Sequence, residues 1–410
     1  MKIAPSEWSR RKFITTLTGA GTVFMLNPRM SWAIDEIDPR VAAIVAKTIG
    51  VDTHNHIDVP INASELPGPT VDLASEMKKS GLSAICMTFA VDYQRLVNPG
   101  DGNDRFMNGL AAMDNVLESN KLKRSLNLAD LRAAHKKQEP TVIQSVEGGH
   151  FLEGQLDRLT VAYKRGLRHL GLLHDNDASV PLGDVYTKPP QFGGLTEFGA
   201  NVIKECNKLG ILIDLTHASN RTIDAALNVT TRPVLISHTG LDTQLGLNQV
   251  MAKMMRPRLI SKGQAKIVAN DGGVIGVWTH LADSPLEYAQ NIRALVEVVG
   301  VDHVCIGTDT KLTPAYRSPN AGPRPGGSGS QSGSNNSQGG PPPNNNGQNG
   351  GGNNRPRVGE RTNEAWHDQK VGFYYAVVDA LLKTGFTEDE IAKIGGENFC
   401  RVFDAATAGH

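Results

Sequence analysis

The chain reads as an α/β protein, a (β/α)₈ barrel, on three observations. Short apolar, β-branched runs recur eight times, helical patterns separate them, and ionisable residues fall where the runs end. Strand and helix alternating over about 260 residues build a parallel sheet, and eight repeats can close it into a barrel. The expected strands are Ile49–Asp52, Ser83–Phe89, Thr141–Val146, Leu167–Leu173, Ile211–Leu215, Pro233–Ser237, Gly273–Trp278 and His303–Gly307. Between them, Asp72–Lys79, Thr196–Lys208 and Leu286–Val298 space apolar residues three to four apart, the helical period. Helical patterning resumes at Asn363–Thr384, and another helix starts at Glu388 behind Thr387, whose hydroxyl suits an N-cap. A doubly wound open sheet is the competing arrangement. No GxGxxG follows the first strand, so a dinucleotide site has no support.

Two segments stand outside this pattern. At the N-terminus, Ser9-Arg10-Arg11-Lys12-Phe13-Ile14 precedes the apolar run Ile14–Leu26, and Ser31-Trp32-Ala33 offers small residues for cleavage. This resembles a twin-arginine export signal over residues 1–33. The run is shorter than the roughly 20 residues a bilayer demands, so no stable membrane anchor is expected. The export machinery would be one partner and the periplasm the destination, with the hydrolase domain at 34–410. Residues 318–357 contain only Gly, Ser, Pro, Asn, Gln, Arg and one Ala. Such a composition cannot bury enough apolar surface to offset ordering, which predicts a disordered insertion after the eighth strand.

Bulk charge narrows the function. With 42 basic and 42 acidic residues the formal net charge is zero, which argues against nucleic acid as a partner. The four cysteines, Cys86, Cys206, Cys305 and Cys400, lie far apart with no CxxC, against a disulfide framework or a thiolate zinc site.

The ionisable residues carry the argument further. His54 and His56 follow the first expected strand, Glu147 ends the third and His174 follows the fourth. His217 follows the fifth, His238 the sixth and Asp309 the eighth. In a (β/α)₈ barrel the C-terminal strand ends form one mouth, so these distant residues would meet in a single cup. Along an extended chain, alternate side chains share a face, which lets positions 54 and 56 converge on one ion. Imidazoles, one carboxylate able to bridge and one left over as a base are the right types for zinc hydrolysis.

These stretches also carry a family resemblance. SVEGGH (145–150), LLHDND (172–177), LIDLTHAS (212–219), PVLISHTG (233–240), DHVCIGTD (302–309) and GGENFCRVF (395–403) resemble the membrane dipeptidase (renal dipeptidase) family. Members are zinc-dependent (β/α)₈ barrels of the amidohydrolase superfamily that cleave dipeptides, some with a D-residue at the C-terminal position. The resemblance implies two zinc ions per chain bridged by Glu147, with His54 on the first and His217 and His238 on the second. It further implies Asp309 as the proton-carrying acid/base and His174 as a contact to the substrate carbonyl. Arg258, in RPRLIS, would clamp the free carboxylate of a dipeptide substrate. One departure stands out: the family usually reads His-Asn-Asp where this chain has His54-Asn55-His56. The tyrosine-bearing segment common after strand seven is here Trp278-Thr279-His280.

Rival readings are an amidohydrolase acting on a cyclic amide, lactone or N-acyl compound, and a non-catalytic periplasmic metal-binding protein. Asp309, assigned to proton transfer rather than metal binding, speaks against the second. A homodimer is left open.

Overall fold

Eight parallel strands close on themselves in the computed structural model, which describes residues 37–318 and 359–410. They are β1 (Val51–His56), β2 (Ala84–Thr88), β3 (Thr141–Glu147), β4 (Leu167–Gly171), β5 (Leu212–Asp214), β6 (Leu235–Thr239), β7 (Val274–Val277) and β8 (Val304–Ile306). Each pairs with its successor, and β1 pairs with both β2 and β8, which seals the barrel. A two-residue strand, β9 (Thr310–Lys311), resumes beyond Asp309 and pairs with the end of β1. Helices fill the connections, and the expected ones at 73–80, 197–209 and 285–299 are present within a residue or two. Thr387 caps the helix Glu388–Ala392 in a reciprocal arrangement with Glu390.

All eight expected strands exist, with bounds within two residues of those expected except the end of β1, four residues further on. β1 runs on through His56 and β6 through Thr239, so His54, His56 and His238 lie inside strands, not after them. A strand needs only its backbone ladder, so it continues past the apolar run wherever polar side chains have partners inside the barrel. The helix expected over Asn363–Thr384 begins only at Phe373, because Thr362–Glu364 forms a separate 3₁₀ turn. The signal segment, and the insertion apart from Ser318, lie outside the described residues.

The two ends of the barrel are built oppositely. At the N-terminal end, Val51, Ala84, Leu212, Leu235, Val274 and Cys305 meet Phe399, Val402, Phe403 and Ala406 of the helix Asn398–Thr407. Phe399 and Phe403 stack at 5.5 Å and plug the opening; burying rings like these contributes about 1.5–3 kcal/mol each. Near the other end the strands approach very closely: a Cβ on Gly307 would sit 1.7 Å from the Ser237 carbonyl oxygen. Only glycine admits that approach, and it sets Thr308 and Asp309 at the mouth. All four cysteines are buried and free, and no described helix is long and apolar enough to cross a membrane.

Candidate active site

At the C-terminal end every expected metal residue surrounds one carboxylate. Glu147, the last residue of β3, is 4% exposed. Its Oε1 lies 2.9 Å from His217 Nε2, 3.4 Å from His54 Nε2 and 3.7 Å from His238 Nε2. Its Oε2 lies 3.5 Å from His174 Nε2 and 3.6 Å from His56 Nε2. His54 and His56 bring their Nε2 atoms to 3.1 Å of each other, and Asp309 Oδ1 is 3.2 Å from His56 Nε2.

A tetrahedral zinc, bound at about 2.0–2.1 Å, separates its donors by about 3.3–3.4 Å. The nitrogen–oxygen spacings around Glu147 bracket that value, so the donor set fits a metal. Three overlapping groups arise: His54, Glu147 and His238; His54, His56 and Asp309; Glu147, His174 and His217. The grouping cuts across the expected pairing, because His238 falls with His54 and His217 falls with His174.

Each imidazole turns Nε2 inward because something holds Nδ1. Ser237 Oγ lies 3.3 Å from His54 Nδ1 and 3.0 Å from His238 Nδ1. Tyr93 Oη lies 3.2 Å from His56 Nδ1. His217 Nδ1 meets Tyr186 Oη at 2.7 Å and Asp175 Oδ1 at 3.0 Å, while both oxygens of Asp92 lie 2.7 Å from His174 Nδ1. Such partners fix ring orientation and raise donor basicity at metal sites. Asp58, two residues past His56, does not join them; it pairs with Lys311 Nζ at 2.8 Å.

Backbone strain marks the same place. His217 and Asp309 adopt left-handed φ values of 69° and 56°. Such conformations cost about 1–3 kcal/mol each and persist where surrounding contacts impose them. Here Tyr186 N–H donates to the His217 carbonyl and Asp309 N–H to the His54 carbonyl, at 3.1 Å each.

The charges follow from this packing. Burial alone would raise the Glu147 carboxyl, but His174, His54, His217 and His56 outweigh it and hold it well below the usual range. Asp309 is depressed likewise, with His238, His280 and His56 overcoming burial. Burial would lower His217, yet Asp175 and Glu147 push it up to about 10. His238 is driven down to about 4, chiefly by burial. Burial and the neighbouring His238 also lower His54. The lone pairs that hold these protons are the ones a metal would use, so metal binding and protonation compete.

Arg258 lies beside this cluster and donates from Nη2 to Asp175 Oδ2. It lines a cavity of about 410 Å³ with Tyr186, His217, His238, Leu259 and Ile260. Asp175 therefore touches the guanidinium with one oxygen and the His217 ring with the other. A smaller cavity, of about 220 Å³, opens on the far side of His174, between His150 and Phe192.

Several residues in the cup escape sequence reasoning: Asp92, Tyr93, Asp175, Tyr186 and His280. His280 Nε2 lies 2.8 Å from Asp309 Oδ2, so two histidines flank that carboxylate. A signal existed for some of them. Every strand of a (β/α)₈ barrel feeds a loop to the mouth, including strands two and seven. Asp92 and Tyr93 follow β2, and His280 follows β7.

A closed parallel barrel with histidines and carboxylates gathered at its C-terminal strand ends defines a metal-dependent hydrolase. The profile of the membrane dipeptidases, peptidase family M19, matches residues 39–316. The chain belongs to that family and is a metal-dependent dipeptidase, a hydrolase of peptide bonds. Among solved structures, an amidohydrolase from Pseudomonas aeruginosa is 22% identical, with 90% of this chain and 99% of that one covered at a TM-score of 0.64. A probable dipeptidase from Pseudomonas aeruginosa is 15% identical with the same coverage and TM-score. A metallopeptidase from Rhodobacter sphaeroides, liganded with a phosphinate mimic of the dipeptide L-Ala-D-Ala, is 16% identical, with 88% and 100% covered and a TM-score of 0.59. At these identities the likeness carries the fold.

Proposed function

We propose that this chain is an exported dipeptidase that works with two zinc ions and accepts dipeptides with a D-residue at the C-terminal position. The observation that carries the reading is Glu147, whose two oxygens face five imidazole Nε2 atoms. His54, His56, Glu147, His217 and His238 would hold the metal. When bound, zinc supplies Lewis acidity, which polarises a carbonyl and makes hydroxide available near neutral pH.

The protein's own groups do the rest. Asp309, ionised between His56 and His280, takes a proton from the attacking water and returns it to the leaving amine. His174 Nε2 faces the cup and supports the substrate oxygen as charge develops there. Arg258 receives the free carboxylate, which must compete with Asp175 for the guanidinium. The phosphinate-bound relative suggests L-Ala-D-Ala as the first substrate to try. Export rests on the twin-arginine segment at Arg10-Arg11.

The test is a panel of L-Ala-L-Ala, L-Ala-D-Ala, N-acyl amino acids and lactones, run on metal-quantified enzyme with and without chelator. Both dipeptides should be cleaved, activity should vanish on chelation and return with zinc, and zinc should approach two per chain. Turnover confined to lactones or N-acyl compounds would sink the dipeptidase reading. Export is tested separately: Arg10→Lys with Arg11→Lys should trap the protein in the cytoplasm.

A further inference from the structure

We infer that Asp92 is the positioning residue for His174, the group that aims this ring at the substrate oxygen. The inference rests on the role proposed above for His174. Asp92 is 2% exposed and follows β2. Both its oxygens lie 2.7 Å from His174 Nδ1, and it belongs to none of the donor groups that could hold a metal among the described residues. A buried carboxylate in such contact accepts the Nδ1–H. That leaves Nε2 as the only ring atom able to reach into the cup, where it lies 3.5 Å from Glu147 Oε2.

The surroundings hold the pair as a unit. The Asp92 carbonyl accepts from Asn176 Nδ2 at 2.9 Å, two residues beyond His174. His150 Nε2 lies 2.9 Å from the Asn176 carbonyl and 3.7 Å from Asp92 Oδ2. Loops after β2, β3 and β4 are thereby joined behind the ring. In front, the ring stands edge-on to His217 at 4.8 Å and to Tyr93 at 5.8 Å, which blocks rotation. The backbone contacts could anchor the loop alone; the carboxylate touches the reaction only through His174. That distinction makes the inference testable.

Four metal-loaded proteins are compared on one dipeptide: wild type, Asp92→Asn, His174→Ala and the double variant. Asn keeps the size of the side chain and removes its charge. His174→Ala should lower kcat by about 10²–10³-fold, the usual loss for one oxyanion donor. Asp92→Asn should lower kcat by about 10²-fold with KM nearly unchanged and metal content equal, and should change nothing further in the His174→Ala background. An equal, independent loss in that background would show that Asp92 serves the fold and not His174. Wild-type turnover in Asp92→Asn, with His174→Ala impaired, overturns the inference alone; wild-type turnover in His174→Ala overturns the His174 role as well. If Asp92→Asn does not fold, Asp92→Ala with added formate replaces it. Formate should restore part of kcat there and none in His174→Ala; absence of restoration overturns the inference.

Discussion

The histidines of the cup are backed in two different ways. His54 and His238 share one hydroxyl, Ser237, whereas His217 and His174 each rest on a carboxylate, Asp175 and Asp92. A hydroxyl is uncharged and can donate or accept, so burial dominates and both of the first rings are pushed down, His238 to about 4. A carboxylate accepts the ring N–H and stabilises positive charge: despite burial, Asp175 with Glu147 pushes His217 up to about 10, and Glu147 with Asp92 raises His174. The lesson is that five similar imidazoles around one glutamate need not be equivalent donors. His54 and His238 are therefore free of protons across neutral pH, whereas His217 is a stronger base whose proton a metal must displace.

Glu147 is the one group common to both sets, so its loss should have the largest effect. Glu147→Ala should lower kcat/KM by at least about 10³-fold, on the scale of losing a residue that acts as a unit with its neighbours. Elemental analysis should show metal falling on both sides of the cup together. Retention of one firmly held metal would confine Glu147 to one set and break its proposed bridging role.

The backing groups come next. Asp175→Asn should weaken metal binding toward the upper end of the 10–100-fold that such outer partners typically contribute, measured by chelator competition. Tyr93→Phe, which removes a hydroxyl at 3.2 Å from His56 Nδ1, should weaken it by about 10-fold or less. Equal losses would mean that charge behind the ring is not what separates the two kinds of site. Asp175→Asn has a second signature, because it releases Arg258. At saturating metal, KM for a dipeptide with a free carboxylate should fall while kcat holds.

The same contrast explains what the sequence discloses. Glu147, His174, His217 and Asp309 are legible because each stands at the end of an apolar run, and the barrel geometry converts that position into a place in the cup. His56 and His238 were legible as residues but not as parts of strands, since periodicity stops where side chains turn polar. Asp92 and His280 also follow strands, β2 and β7, and Asp175 sits beside His174, but position alone does not reveal what each one backs. Their partners come from other loops, and only closure of the barrel brings an acidic residue after β2 onto a ring after β4. Likewise β9 is two residues long, too short for any pattern, and exists because β1 runs on far enough to pair with it.

The finest test of the comparison is His56, which stands where the family usually carries aspartate. Its Nε2 lies 3.2 Å from Asp309 Oδ1 and 3.6 Å from Glu147 Oε2, so it adds a neutral or positive ring beside two carboxylates. Burial lowers this ring, but Asp309 and Glu147 more than compensate and raise it above its ordinary value. His56→Asp replaces the ring with a third negative charge. Like charges favour the protonated form of their neighbours, so groups that must be ionised for activity, Asp309 among them, will pick up protons at higher pH. The acid limb of kcat/KM should therefore move upward, by about one pH unit, equivalent to about 1.4 kcal/mol. The shorter aspartate also stands farther from Asp309 than the ring does, which keeps the shift modest. Measured at saturating metal and against wild type, an unchanged or lower limb would show that charge at position 56 does not set the ionisation of the cup.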